Sequence, residues 1–149
     1  MKDELKEIRL QLFERISFLA SDNGMDGFST GEGPASRMKS SVEGIIFSFH
    51  ERSKQINAGL LFRNTMKSSP TYKLNLFRDK LETINFNGKT LIFKEEDTGG
   101  KTGKPTAARA YFVIDSWQRN NSSTESKSIS EAVSAMRKLW DELPDLQPK

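Results

Sequence analysis

A chain of 149 residues, 35% hydrophobic and 29% charged with a formal net charge of +3, is sized for one domain that buries its own core, and that charge by itself implies no polyanionic partner. There is no cysteine and a single histidine, His50, which excludes disulfides, a thiolate nucleophile, Cys/His zinc sites and two-histidine metal motifs. The opening MKDELKEIRLQLF lacks the apolar core of a signal peptide and no stretch approaches the ~20 apolar residues of a membrane span, so a cytoplasmic protein without membrane contact is expected.

The charge is unevenly spread. Lys plus Arg against Asp plus Glu run 6 to 8 over residues 1–50, 13 to 7 over 51–120, and 4 to 5 over 121–149. The basic excess therefore sits in the middle of the chain, where it is compatible with a surface for an anionic partner.

In chain order, Leu5, Ile8, Leu12, Ile16 and Leu19, with Phe13 beside them, recur at helical steps and predict a first helix ending near Gly24. Residues 22–41 are rich in Gly and Ser and read as one long loop. Val42 to Phe49 alternates as a strand, with Ile46, Ser48 and His50 opposite Ile45, Phe47 and Phe49. A polar turn (51–54) leads to a second strand over Ile56 to Arg63, closing a hairpin. Ser69-Pro70 is a helix start, followed by Leu74, Phe77, Leu81 and Ile84, so a second helix is expected over about 70–85. Asn87-Gly88 turns into a third strand, Lys89 to Lys94, and after the loop EEDTGGKTGKPTA a fourth runs from Ala108 to Asp115. The last helix carries Ile129, Val133, Met136, Trp140 and Leu143 on one stripe, with Ser128 and Glu131 at capping-box spacing. Pro144 ends it, and the tail 144–149 is expected to fray. The fold class expected is α+β: a single domain, a mainly antiparallel four-stranded sheet packed on helices in the order α-β-β-α-β-β-α.

Tests for catalytic motifs fail in turn. Thr98 to Lys104 suggests a phosphate loop, but the place of its first glycine is Glu95 and a strand follows in place of a helix. Gly24, Gly27, Gly31 and Gly33 lack dinucleotide-binding spacing. A magnesium nuclease would need carboxylates and a lysine gathered from adjacent strands. The nearest approach, Asp115 with Glu125 and Lys127, places the latter two in a polar loop, and Glu95, Glu96 and Asp97 face water. His50 has no serine or acid set beside it. No catalytic residue, metal site or cofactor is assigned, and an enzyme is not the expectation; a cryptic nuclease centred on Asp115 is the third reading.

What remains is basic and aromatic interleaving. Strand alternation puts His50, Arg63, Lys94, Arg109 and Tyr111 on the less apolar sheet face, with Lys101 and Lys104 on the adjoining loop. Cations for phosphate and a ring for stacking are what a single-stranded or irregular nucleic-acid surface needs. Leu61, Ile92 and Val113 share that face, so either an open face or one covered by a helix is compatible with the pattern. The reading favoured is a non-enzymatic binding module with Arg63, Lys94, Lys101, Lys104, Arg109 and Tyr111 as its contacts. The alternative is a protein-binding inhibitor or regulator anchored by Met25, Phe28 and Trp117.

The runs GIIFSFHERSKQINAGLLFRN, YKLNLFRDKLETI, GKTLIFKEED and ARAYFVID, closed by a helix with Met136 and Trp140, together resemble a domain found appended to predicted restriction-type nucleases in bacteria and archaea. The likeness is one of pattern over about residues 10–143. It departs in a longer polar insert before the last strand and in lacking a tryptophan ahead of the first. It carries no functional residue over. It implies a setting near nucleic acid and prokaryotic defence; the favoured module is expected to act near nucleic acid or on a nucleic-acid-processing protein, in a prokaryotic or phage context.

Overall fold

A computed structural model describes residues 2–30, 35–52, 54–96, 106–117 and 122–148, with the side chains of 2–6 and 122–125 left aside. Its elements are helix α1 (Lys2–Asp22), strands β1 (Ser29–Thr30), β2 (Ala35–Lys39), β3 (Ile45–Glu51) and β4 (Ile56–Arg63), helix α2 (Pro70–Leu81), strands β5 (Asn85–Phe86), β6 (Lys89–Thr90), β7 (Ile92–Glu96) and β8 (Ala107–Ile114), helix α3 (Ser122–Glu142) and a 3-10 turn over Pro144–Leu146. Six strands form one antiparallel sheet in the order β1-β2-β3-β4-β8-β7, and β5 pairs with β6 as a separate hairpin.

The mixed α and antiparallel β class is the one the periodicities predict, but the sheet has six strands where four were expected. The two extra strands, β1 and β2, lie within the segment read as loop. Ala35-Ser36-Arg37-Met38-Lys39 alternates too weakly in hydropathy to signal a strand. It pairs with β3 from Ala35 opposite His50 to Lys39 opposite Ile46. The strand expected over 89–94 is split, because Asn87 (φ 50) and Gly88 (φ 79) take left-handed conformations and close the tight β5–β6 hairpin before β7 begins.

Alternation then sorts the side chains into two faces. Ile45, Phe47 and Phe49 of β3, Ile56, Ala58, Leu60 and Phe62 of β4, and Ala108, Ala110, Phe112 and Ile114 of β8 are all in the buried core. They meet Leu12, Phe13 and Ile16 of α1, Leu74 and Leu81 of α2, and Val133, Met136 and Leu139 of α3. All three helices thus cover the same side of the sheet. Ring contacts join the layers, with Phe47 and Trp140 centroids 5.1 Å apart.

Three local details correct the sequence reading. Helix α3 begins at Ser122, so Ser128 lies within it, fully buried. There Ser128 and Glu131 serve a different purpose: Ser116, in the turn after β8, lies 3.3 Å from the Ser128 hydroxyl and donates to Glu131 at 2.8 Å. The tail does not fray over 144–146. Leu146 is fully buried, and the Ser41 N–H donates to its carbonyl at 3.0 Å. Glu51, expected in a turn, ends β3 on the core face, 2% exposed, where Arg9 of α1 reaches it at 2.9 Å. By contrast the start of α2 is as expected, with the Ser69 hydroxyl accepting the Tyr72 N–H at 3.1 Å ahead of Pro70.

The Arg9–Glu51 pair fastens α1 to the sheet. Removing the guanidinium takes a charged partner from a carboxylate that is almost wholly buried, at a cost moderated by the partial exposure of Arg9. Arg9→Met is expected to lower the unfolding free energy by about 2 kcal/mol, read as a reduced urea midpoint with an unchanged slope.

Candidate nucleic-acid interface

The face of the sheet turned away from the helices is specified by the same register. One cross-strand row runs Arg37, Ser48, Gly59, Tyr111, Ile92, and the next runs Lys39, Ile46, Leu61, Arg109, Lys94. Flanking rows add His50 beside Asn57 and Val113, and Arg63 beside Ala107 and Glu96. Among the described residues no helix lies over this face. Its strands carry five cations, Arg37, Lys39, Arg63, Lys94 and Arg109, and one carboxylate, Glu96.

Of the residues expected at a nucleic-acid surface, Arg63, Lys94, Arg109 and Tyr111 share this face, as does His50. Lys101 and Lys104 lie outside the described residues. Arg37 and Lys39 were missed, because the segment that holds them reads as loop. The only signal was the alternation Arg37-Met38-Lys39, with the methionine turned to the core.

Leu61 (2% exposed) and Ile46 (9%) are buried on this face, with Lys39 and Arg109 as their neighbours in register. Long cationic side chains bury their aliphatic stems along such apolar ground and keep their heads in water. Two concavities result. One, a shallow pit over Gly59, is lined by Ser48, His50, Asn57, Arg109 and Tyr111. Gly59 is obligatory there: a Cβ would come within 2.1 Å of the Ala110 carbonyl and 2.5 Å of the Tyr111 Cα. The other is a groove of about 500 Å³ at the corner of the sheet, with Arg37, Lys39, Ile46 and Arg63 on its floor and sides.

One carboxylate, Glu96, compensates only part of this positive charge. Burial lowers the pKa of Arg37, and the neighbouring charges of Arg63 and Arg109, from two other strands, lower it further. The Arg37 Nε is buried without a hydrogen-bond partner among the described residues. Arg109 lies 3.3 Å from Glu96, an ion pair whose geometry leaves its Nε without an aligned hydrogen bond. Lys94 reaches the same carboxylate more distantly, at 3.9 Å. The Ser48 hydroxyl, on a residue 4% exposed, also has no partner. Buried donors and acceptors are ordinarily satisfied, so three orphaned atoms set this face apart from the rest of the sheet.

His50 responds to the same field. Burial first, then Arg109, Arg52 and Arg37, depress its pKa to about 4, against a smaller opposing pull from Glu96. It is a neutral imidazole at pH 7, able to stack or to donate and accept one hydrogen bond each.

The rival sites fare differently. Met25 (0% exposed), Phe28 (8%) and Trp117 (3%) belong to the core. Phe28 packs on Phe49 with ring centroids 5.0 Å apart, and none of the three is offered to a partner. Asp115 faces solvent beside Lys89 at 3.4 Å, Lys127 is exposed on α3, and among the described residues no three acids or histidines gather as metal ligands. No described helix is long and apolar enough to cross a membrane. Comparison with family models, with curated proteins and with solved structures returns no match.

The depressed His50 pKa sets a pH dependence. Between pH 6.5 and about 4 the unfolded chain binds this proton more readily than the folded one, so stability falls as pH is lowered through that window. His50→Asn is expected to remove a component on the order of 1 kcal/mol from the loss between pH 7 and pH 4.5. Urea unfolding of both proteins at the two pH values measures it; equal losses would contradict the assignment.

Proposed function

We infer that the chain is a non-enzymatic binding module whose open sheet face takes nucleic acid, with single strands as the preferred form. One observation carries the reading: the sheet register gathers Arg37, Lys39, Arg63, Lys94 and Arg109 on one face, where only Glu96 among the strand residues opposes them. Like charges held together cost folding energy, and neutralisation by phosphates returns it.

Three features favour a single strand over a duplex. The face is a sheet surface with no described element projecting to enter a groove. The half-buried Tyr111 and neutral His50 supply surfaces on which unpaired bases stack. Buried Ile46 and Leu61, with half-buried Val113, give apolar ground between the cations. From β2 to β7 the face is about 19 Å wide, room for the two or three splayed bases that sheet surfaces of this kind take. The resemblance to domains appended to restriction-type nucleases is the basis for a setting in prokaryotic defence, and a genetic neighbourhood without nucleic-acid enzymes would count against it. The inhibitor reading loses its anchors to the core, and nothing in the geometry favours it.

Binding to single-stranded DNA, single-stranded RNA and duplex DNA across a salt titration tests the proposal. Affinity for single strands is expected to fall with salt, and Arg63→Gln, exposed and without a folding role, should weaken it several-fold and reduce the log–log slope by about 0.7. Tyr111→Ala should cost about 1–3 kcal/mol for single strands with the salt slope unchanged. Undetectable binding at low salt would remove the nucleic-acid reading altogether.

A further inference from the structure

The corner groove differs from the rest of the face. Its cations are Arg37, Lys39 and Arg63, and no carboxylate is paired with any of them among the described residues. Farther across the sheet, Arg109 and Lys94 share Glu96. The groove is also walled. Asp26 and Gly27, between α1 and β1, and Ser29 of β1 bound it, as does Pro148. Asp26 is fastened in place by a hydrogen bond from Ser21, and Pro148 follows the 3-10 turn whose Leu146 is buried.

A continuous strand leaving the sheet on this side would have to carry its phosphates past the Asp26 carboxylate and over Pro148. The first is electrostatically unfavourable and the second offers no donor. A chain end crosses neither boundary, and its phosphate, which shares the groove with Asp26, is held against that carboxylate by three cations. A terminal phosphomonoester carries about −1.5 to −2 at pH 7, against −1 for an internal diester, and guanidiniums grip its oxygens bidentately. Arg37 brings such a fork from β2 to the groove's lining, beside Lys39 and Arg63.

Resting on the single-strand reading above, we propose that the groove formed by Arg37, Lys39 and Arg63, stopped by Asp26 and Pro148, holds the phosphomonoester at the end of a single-stranded nucleic acid. The strand then runs from the groove across Leu61 and the Gly59 pit towards Tyr111 and Arg109. Either the 5′ or the 3′ phosphate satisfies this chemistry, and the direction of the strand separates them.

Three eight-nucleotide oligothymidylates decide it: one with a 5′ phosphate, one with a 3′ phosphate and one with hydroxyls at both ends. Their affinities are measured by fluorescence anisotropy with the label on an internal base, and thymidine 5′-monophosphate and inorganic phosphate are titrated separately while the arginine side-chain resonances are followed. One phosphorylated oligonucleotide is expected to bind about tenfold tighter than the hydroxyl form. Lys39→Gln, an exposed residue whose loss leaves the sheet intact, should erase most of that gain, and Arg37→Gln all of it. Lys94→Gln, at the far edge, should weaken all three oligonucleotides alike. If the three oligonucleotides bind equally, the end-binding groove is wrong and the nucleic-acid reading stands. If no oligonucleotide binds but the monophosphate shifts the Arg37 resonance, the phosphate groove stands and the nucleic-acid reading falls. If neither binds, both fall.

Discussion

The structure depends on a two-residue alternation held in register across β3, β4 and β8. Ile45, Phe47 and Phe49, with Ala58, Leu60 and Phe62 and then Ala108, Ala110 and Phe112, form a continuous apolar surface only because each strand is paired without a slip. A one-residue shift would exchange the faces. Three helices press on that surface, so the intervening residues have one direction left to them. The cations on the outer face are thus a consequence of the core's geometry, and their convergence is inherited from pairing that the core enforces.

That inheritance carries an energetic penalty. A sheet face bearing Arg37, Lys39, Arg63, Lys94 and Arg109 with Glu96 alone opposing them is self-repulsive, and the pKa values of Arg37 and His50, lowered first by burial, are lowered further by the neighbouring arginines. Structural ion pairs elsewhere show that the chain can place opposite charges together: Arg9 meets Glu51 at 2.9 Å and Lys80 meets Glu142 at 3.1 Å. Local conflict of this kind, inside an otherwise consistent fold, is where binding sites are ordinarily found.

Much of this was legible from the chain. Strand β4 stands at the residues its alternation predicts, and β8 is displaced by one position, because a half-buried antiparallel strand writes its period plainly into Ala-Arg-Ala-Tyr-Phe-Val. Placing Arg63, Lys94, Arg109, Tyr111 and His50 on one face needed only that period. Whether a helix covered the face was not readable, since Leu61 and Val113 suit a core as well as a floor beneath arginine stems. Arg37 and Lys39 were invisible for a different reason. Their strand, Ala35–Lys39, contributes only Met38 to the described core cluster, and the pairing with β3 that fixes it is a tertiary fact. Met25 and Phe28 misled in the opposite sense: in a segment that reads as loop they look available, yet both side chains turn back under α1 and β3 to fill the core.

The same segment links the fold to the site. Residues 22–30 leave α1, bury Met25 and Phe28 and form β1, and residues 35–39 pair with it as β2 and bring two of the cations. Gly27, at φ 106, takes a left-handed conformation closed to most side chains. It sits between those two anchors, where a Cβ would come within 3.2 Å of the Met38 sulfur. The wall of the corner groove is therefore made by residues whose neighbours are core, as is its far limit at Pro148, held by buried Leu146. A groove bounded by core-anchored backbone is fixed before any ligand arrives, so the ordering of Arg37 and Lys39 is supplied by folding and not by the ligand. That is the condition under which a few exposed cations can discriminate a chain end from a chain interior, because discrimination requires the walls to stay where they are.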